Sequence, residues 1–264
     1  MPRWRRSSRV FWRAERHYVR QQTVGPVSKA QTRRMAVASN HLIELLPRPA
    51  RRRLLALCEP VDLVLSQTLC EPGTPTQHVY FPTEGFISLL ALNDGSAALE
   101  VGMVGREGML GVQVALDVDS VPLRALVQGL GQAWRIGRAP FRIELARNSA
   151  LQRVMHRYVY VLMAQLAAAA GCLRFHLIGP RLARWLLMSQ DRAQLDRFRV
   201  THEFLAYMLG VRRVGITGAA GALQRAGLIE YRRGQLTVLD RPGLEAAACS
   251  CYAADRRVYQ QLLG

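Results

Sequence analysis

The stretch GVRRVGITGAAGALQRAGLIEYRRG, Gly210 to Gly234, decides how the chain is read. It holds six glycines, the arginine pairs Arg212-Arg213 and Arg232-Arg233, and one acid, Glu230. Two readings compete: a glycine loop that cradles phosphate, or a helix that lies in DNA. A Walker loop needs GxxxxGK[ST] after a strand, and a dinucleotide loop needs GxGxxG. Neither spacing is present, and the residues just before the stretch have a helical pattern rather than a strand's.

That upstream helix is THEFLAYMLG. Thr201 is placed to cap it, Glu203 suits the positive end of its dipole, and Gly210 suits its C-terminus. Phe204, Leu205, Met208 and Leu209 form its apolar face. A short turn, VRR, leads to a second helix, VGITGAAGALQRAG, with Ile216, Ala219, Ala220 and Leu223 on its buried side. The small residues Gly218 to Ala222 read as a surface for tight helix packing, although each glycine weakens a helix by about 1 kcal/mol relative to alanine. LIEYRR and QLTVLD then form a hairpin around Arg233-Gly234. Helix, turn, helix and hairpin make a winged helix-turn-helix. In such a unit the second helix enters the major groove and its N-terminal residues reach base edges. The DNA-contacting set is therefore Thr201, Arg212, Arg213, Thr217, Arg225, Arg232 and Arg233. Arg212 and Arg213 can grip phosphate or fork onto guanine O6 and N7. Arg232 and Arg233, at the wing tip, suit phosphate.

Composition agrees with a polyanion partner. The 264 residues allow two domains with real cores, and half of them are hydrophobic. The net charge is +17 and the pI about 11.0. Ten Lys/Arg and one acid fall in residues 1–38, so that basic, flexible tail supplies +9 and leaves +8 for the rest. The tail lacks the apolar core of a secretory signal. It is open to three readings: a solvated arm, a transit-peptide mimic, or a misplaced start. The longest apolar run, Val159 to Leu173, is broken by Gln165 and Gly171 and falls short of the roughly 20 residues of a bilayer span. A cytoplasmic protein with no membrane partner is expected. Cys58, Cys70, Cys172, Cys249 and Cys251 form no CxxC pair and are expected reduced.

The rest of the chain changes grammar twice. Asn40 can cap a short helix, HLIELL, and ARRRLLALC follows it. From Val61 to Ile136 short strand-like runs alternate with turns: VDLVLS, HVYFP, FISLLAL, ALEVGMVG, PLRALVQ and QAWRIG. NDGS between two of them is a hairpin signal. Beyond Pro140 the period is helical, with a long helix over 149–175. On it Val154, Val161, Ala168 and Phe175 repeat every seven residues, as do Leu151, Tyr158, Gln165 and Cys172. The dimer seam drawn from these is Val154, Tyr158, Val161, Gln165, Ala168 and Cys172. A helix packed on its own domain is the alternative. On the seam, Cys172 would face its twin across a two-fold axis, close enough for a disulfide.

Together VGREGMLG, the long helix and the ending LGVRRVGITGAAGALQRAGLI resemble the Crp/Fnr family of bacterial transcription regulators over about residues 40–240. The resemblance implies an α+β fold: a β-roll sensor (a cyclic-nucleotide-binding-like jelly roll) over 39–146, a dimerisation helix over 147–176, and a winged helix-turn-helix over 177–264. It implies a homodimer on double-stranded DNA, with RNA polymerase a candidate partner. Arg213 matches the family's base-reading arginine, whereas Val214 and Gly218 stand where the family often has Glu and a second Arg. Members that bind cyclic AMP carry Gly-Glu-Leu and, later, Arg-Ser or Arg-Thr. Here Gly111-Val112-Gln113 and Val121-Pro122 stand there, so control by cyclic nucleotide is not expected. Gly105, Arg106, Glu107, Gly111 and Arg124 remain a candidate effector pocket, for an effector the sequence does not identify. A cyclic-nucleotide-gated, redox or haem-sensing regulator of the same fold is the alternative, with His78 its haem candidate. The tail has no cysteine cluster, so no iron–sulfur cluster is expected.

No catalytic constellation emerges. His202-Glu203 opens like a zinc protease motif, but Ala206 stands where the second histidine belongs. The acids of the β region are scattered, and no GxSxG occurs. Cys249-Ser-Cys251, read as helical, would point its two thiols to different sides. No metal site and no enzymatic activity are therefore expected.

Overall fold

A computed structural model describes residues 39–93 and 97–264. The N-terminal tail, and with it the helix expected over Phe11–Tyr18, lies outside the described residues, as does the turn at 94–96.

Two short helices open the chain, α1 (His41–Glu44) and α2 (Arg48–Ala56). Asn40 caps α1 by accepting from the backbone N–H groups of Leu42 and Ile43. Seven strands follow: β1 (Glu59–Leu63), β2 (Thr68–Cys70), β3 (His78–Pro82), β4 (Phe86–Asn93), β5 (Ala97–Val104), β6 (Leu123–Gly129) and β7 (Gly131–Gly137). They form two antiparallel sheets, one ordered β1-β7-β3 and one ordered β2-β6-β4-β5. Asn93 pairs with Ala97, as a tight hairpin requires. The predicted strands are all present, and β2 is an addition of three residues, too short to show alternation. Between the sheets lie Leu63, Tyr80, Ile87, Val104, Val127 and Ala133.

A short helix α3 (Arg138–Arg147) leads to the long helix α4 (Ser149–Phe175) and then α5 (Ile178–Ala193). The last unit is β8 (Arg197–Arg199), α6 (His202–Leu209), α7 (Arg213–Arg225), β9 (Ile229–Arg232), β10 (Gln235–Val238), α8 (Arg241–Ala247) and α9 (Cys251–Leu263). Its three strands form a wing ordered β8-β10-β9. Leu182, Trp185, Leu186 and Ser189 of α5 are buried, as their shared face requires. They join Leu205, Ile216, Ala220, Leu223 and Leu236 in one core, which also takes Phe86, Leu90 and Met103 from the four-stranded sheet. The reader and the sensor sheet thus share a hydrophobic interior. The final helix leaves this unit. Tyr252 stays in the reader core, while Val258, Tyr259, Leu262 and Leu263 pack beside Leu42, Leu54 and Val154 on the sensor side.

The expected seam on α4 is corrected by this packing. Val154, Tyr158, Val161 and Cys172 are buried within their own chain, and Gln165 and Ala168 are half-buried. The four buried residues cannot meet a second copy without vacating their own core. The outward stripe is His156, Met163, Leu166, Ala170 and Leu173, with half-buried Val159 among them. Its spacing alternates between three and four residues, the period of a coiled-coil seam. By length and composition α4 is long and apolar enough to cross a bilayer, which the interrupted run Val159 to Leu173 alone does not suggest.

Candidate nucleic-acid interface

The interface is built on two caps. The hydroxyl of Thr201 accepts from Phe204 N at 3.1 Å and starts α6. Gly210, at φ 63°, ends it in the left-handed region where only glycine is unstrained. Arg212 is the N-cap residue of α7 and Arg213 its first helical residue. Arg212, Arg213, Val214 and Thr217 are all exposed, so the helix start presents two guanidinium groups together with its own positive dipole end.

Part of the expected packing is reversed. Ala220 is buried and Ala219 half-buried, but Gly218 and Ala222 face outward, and a Cβ at Gly218 would touch nothing within 4 Å. The small residues of 218–222 are split between the two sides of α7. Its outer side is a shallow surface on which another molecule can approach the backbone.

The wing is fixed to this helix by a ring of polar contacts. His202 stacks on Tyr231 with centroids 4.5 Å apart, and its Nδ1 lies 3.1 Å from the Thr217 hydroxyl. Tyr231 donates its hydroxyl to Val200 O at 2.7 Å, and its N–H to Gln224 Oε1 at 2.9 Å. Burial, and then the charge of Arg213, push the His202 pKa down, so its neutral form is favoured. His202 was set aside in the sequence as half of a metal motif; its role as a strut depends on contacts 15 and 29 residues away.

Arg232 and Arg233 stand at the wing turn, where Arg233 (φ 51°) and Gly234 (φ 78°) are both left-handed. They share a cleft of about 470 Å³ with Arg199 and Gln235. Arg199 lies on β8, which the sequence reading missed, because three residues of RFR give no usable period. Arg225 sits at the other end of α7, about 18 Å along the axis from Arg213 at 1.5 Å per residue. Of the seven expected residues, Arg212, Arg213 and Thr217 cluster at one helix end, and Arg232 and Arg233 lie together on the wing. Thr201 is occupied as a cap, and Arg225 stands apart.

The expected effector pocket does not hold together. Arg106 and Glu107 line a cleft of about 320 Å³ against α5 and α9, with Arg192, Tyr252 and Tyr259. Gly105 donates its N–H to Glu107 in that turn. Gly111 instead lines a separate cavity of about 460 Å³ within the β-roll, beside Thr76, His78 and Gln113. Arg124 is paired with Glu71 at 3.0 Å. Arg106 and Glu107 thus belong to one cleft, while Gly111 and, through its partner Glu71, Arg124 belong to the other. No arginine lines the β-roll cavity among the described residues.

A family model for the Crp-like helix-turn-helix domain matches residues 180–247. That span runs from the start of α5 through α8 and contains the whole interface. Residues 180–247 are a Crp-like helix-turn-helix domain. Over about three quarters of its length the chain has the Crp/Fnr fold. A putative Crp/Fnr transcriptional regulator from Eubacterium rectale superposes with TM-score 0.62 at 15% identity, over 78% of this chain and 96% of that one. The c-di-GMP responsive global regulator CLP of Xanthomonas campestris superposes with TM-score 0.60 at 17% identity, over 74% and 100%. FixK2 of Bradyrhizobium japonicum gives 0.60 at 12%, over 73% and 98%. No curated protein matches the chain by sequence. The Crp-like domain supplies the DNA-binding architecture.

Proposed function

We propose that the protein is a homodimeric transcription regulator that reads a pseudo-palindromic operator through α7 and has no catalytic role. The observation that carries this is the exposed pair Arg212-Arg213 at the start of α7, inside the Crp-like domain. Those side chains reach base edges when the helix end enters the major groove. The arginines of the wing lie on the flanking phosphates.

The second copy docks on the outward stripe of α4. Met163 is 62% exposed and Leu166 is 40% exposed, a burden of apolar surface that a helix–helix seam removes. Half-sites then lie one turn of DNA, about 34 Å, apart.

Cyclic AMP is not the controlling ligand. A cyclic phosphate placed in the β-roll cavity would meet Glu71 and Gln113, and the arginine beside it, Arg124, is paired with Glu71.

Selection of binding sites from a random DNA pool tests the reading, with wild type beside Arg213→Ala. A palindromic consensus lost in the variant is the expected result. No enrichment by wild type, and equal weak binding by both proteins, would overturn it.

A further inference from the structure

Four ligand-bearing side chains converge at the junction between the long helix and the reader. Cys172 and His176 are one turn apart near the end of α4, so they share a face. Cys249 follows α8 in a non-helical break, and Cys251 is the first residue of α9. The two cysteines therefore do not lie on one helix with their thiols apart, as their spacing alone suggests. The extended Ala248 and the break at Cys249-Ser250 turn both thiols the same way. The three sulfurs and the imidazole nitrogen all lie within 4.8 Å of one another. Cys172 Sγ is 3.5 Å from Cys249 Sγ, and Cys251 Sγ is 3.6 Å from His176 Nδ1. Cys172 therefore faces Cys249 of its own chain, not a twin in a second copy.

We propose that Cys172, His176, Cys249 and Cys251 form a tetrahedral site for a single zinc-class divalent cation, which fixes the reader to the base of α4. Metal–sulfur bonds of about 2.3 Å at tetrahedral angles place sulfurs about 3.8 Å apart, close to the spacing seen. A three-thiolate, one-imidazole set selects a soft or borderline ion, and four protein ligands leave no open position for chemistry. A polynuclear iron–sulfur cluster distributes its ligands over several iron atoms and needs wider spacing. The cavity beside Cys172 is about 40 Å³, too small for an organic ligand.

A second observation points the same way. Arg181 is buried, with 9% of its surface exposed, and one of its nitrogens is taken by the carbonyl of Leu209. No carboxylate pairs with it among the described residues, and its charged form is favoured by the nearby Cys172 and Cys249. A buried guanidinium needs an anionic neighbour. Three thiolates and one divalent cation carry a net charge of −1 and supply it. The site also reaches the reader directly. Leu209 ends α6, and Cys249 N donates to Pro180 O at the start of α5.

The test is metal analysis of the full-length protein purified with zinc supplied, and its cobalt(II) form examined by absorption. About one zinc per chain and thiolate-to-cobalt charge-transfer bands are expected. Cys251→Ser and His176→Gln should each weaken zinc binding more than about tenfold. Cys70→Ser, in the β-roll, should change nothing. Circular dichroism confirms that each variant is folded, and neither measurement involves DNA. A folded wild type that takes up no zinc, or that gives a cobalt spectrum without thiolate bands, would overturn the proposal. So would a Cys172–Cys249 disulfide in metal-free protein that zinc under reducing conditions does not convert to the loaded form.

Discussion

Arg192 holds Glu107 with two nitrogens, its Nε and Nη2 each 2.8 Å from Glu107 Oε1. Glu107 lies in the turn after β5 of the sensor, and Arg192 near the end of α5, which leads into the reader. The same turn is gripped from the other side by Tyr259 of α9, whose hydroxyl donates to Glu107 O at 2.7 Å. One short turn therefore links sensor, reader and C-terminal helix. Both ion-pair partners are more than two thirds covered. Glu107→Gln is expected to cost about 1–3 kcal/mol, between exposed and fully buried pairs. Thermal unfolding of the variant should show the loss, with the reader's transition separating from that of the sensor.

Arg213→Ala is expected to lose about 1–3 kcal/mol of DNA affinity and to relax preference at one base of each half-site. Arg232→Ala and Arg233→Ala should weaken binding evenly across sequences, each lowering the salt slope by about 1. Fluorescence anisotropy at several salt concentrations separates the two behaviours.

Gly218→Ala is expected to stabilise the reader by up to about 1 kcal/mol, because the added methyl meets open space and removes backbone freedom from the unfolded chain. A stabilised protein that binds DNA more weakly would show that the glycine serves close approach. Denaturant unfolding and anisotropy together give both readings.

Glu100 predicts a pH dependence. Burial pushes its pKa from the ordinary 4.5 to about 7, against the lowering effects of the Ser88 hydroxyl and of Arg192 and Arg184. Between those two values the folded state holds a proton that the unfolded state has released. Stability from this group is thus complete below about pH 4.5 and lost as pH rises to about 7. The shift corresponds to about 3 kcal/mol at most. Glu100→Gln should flatten the denaturation midpoint across that window and raise it at pH 8.

Met163→Glu with Ala170→Glu is expected to give a folded monomer in sedimentation, while wild type sediments as a dimer. A dimer that survives both charges would move the seam elsewhere.

Local chemistry was legible in the sequence wherever it was decided locally. Asn40 and Thr201 cap the helices they were expected to cap, and Gly210 ends α6. The alternating runs became strands in the expected order. What failed depended on distant partners. The heptad pattern on α4 cannot say which face is already covered, because α9, some 90 residues later, takes part of the cover. The four zinc-class ligands were visible as isolated cysteines and a histidine, but 77 residues separate Cys172 from Cys249. The effector residues were grouped by the family resemblance, and Arg106 and Glu107 open on one cleft while Gly111 opens on another.

The hydroxyl of Tyr259 meets Nδ1 of His41 at 2.7 Å, across 218 residues of chain. The first described helix is thus completed by the last. At synthesis rates of about 5–20 residues per second, α1 waits roughly 10–40 s for its partner. During that interval Leu42 and Leu54 lack the cover of Leu262 and Leu263. The sensor emerges from the ribosome before it can close, and its completion reports that the reader, translated in between, has already been made.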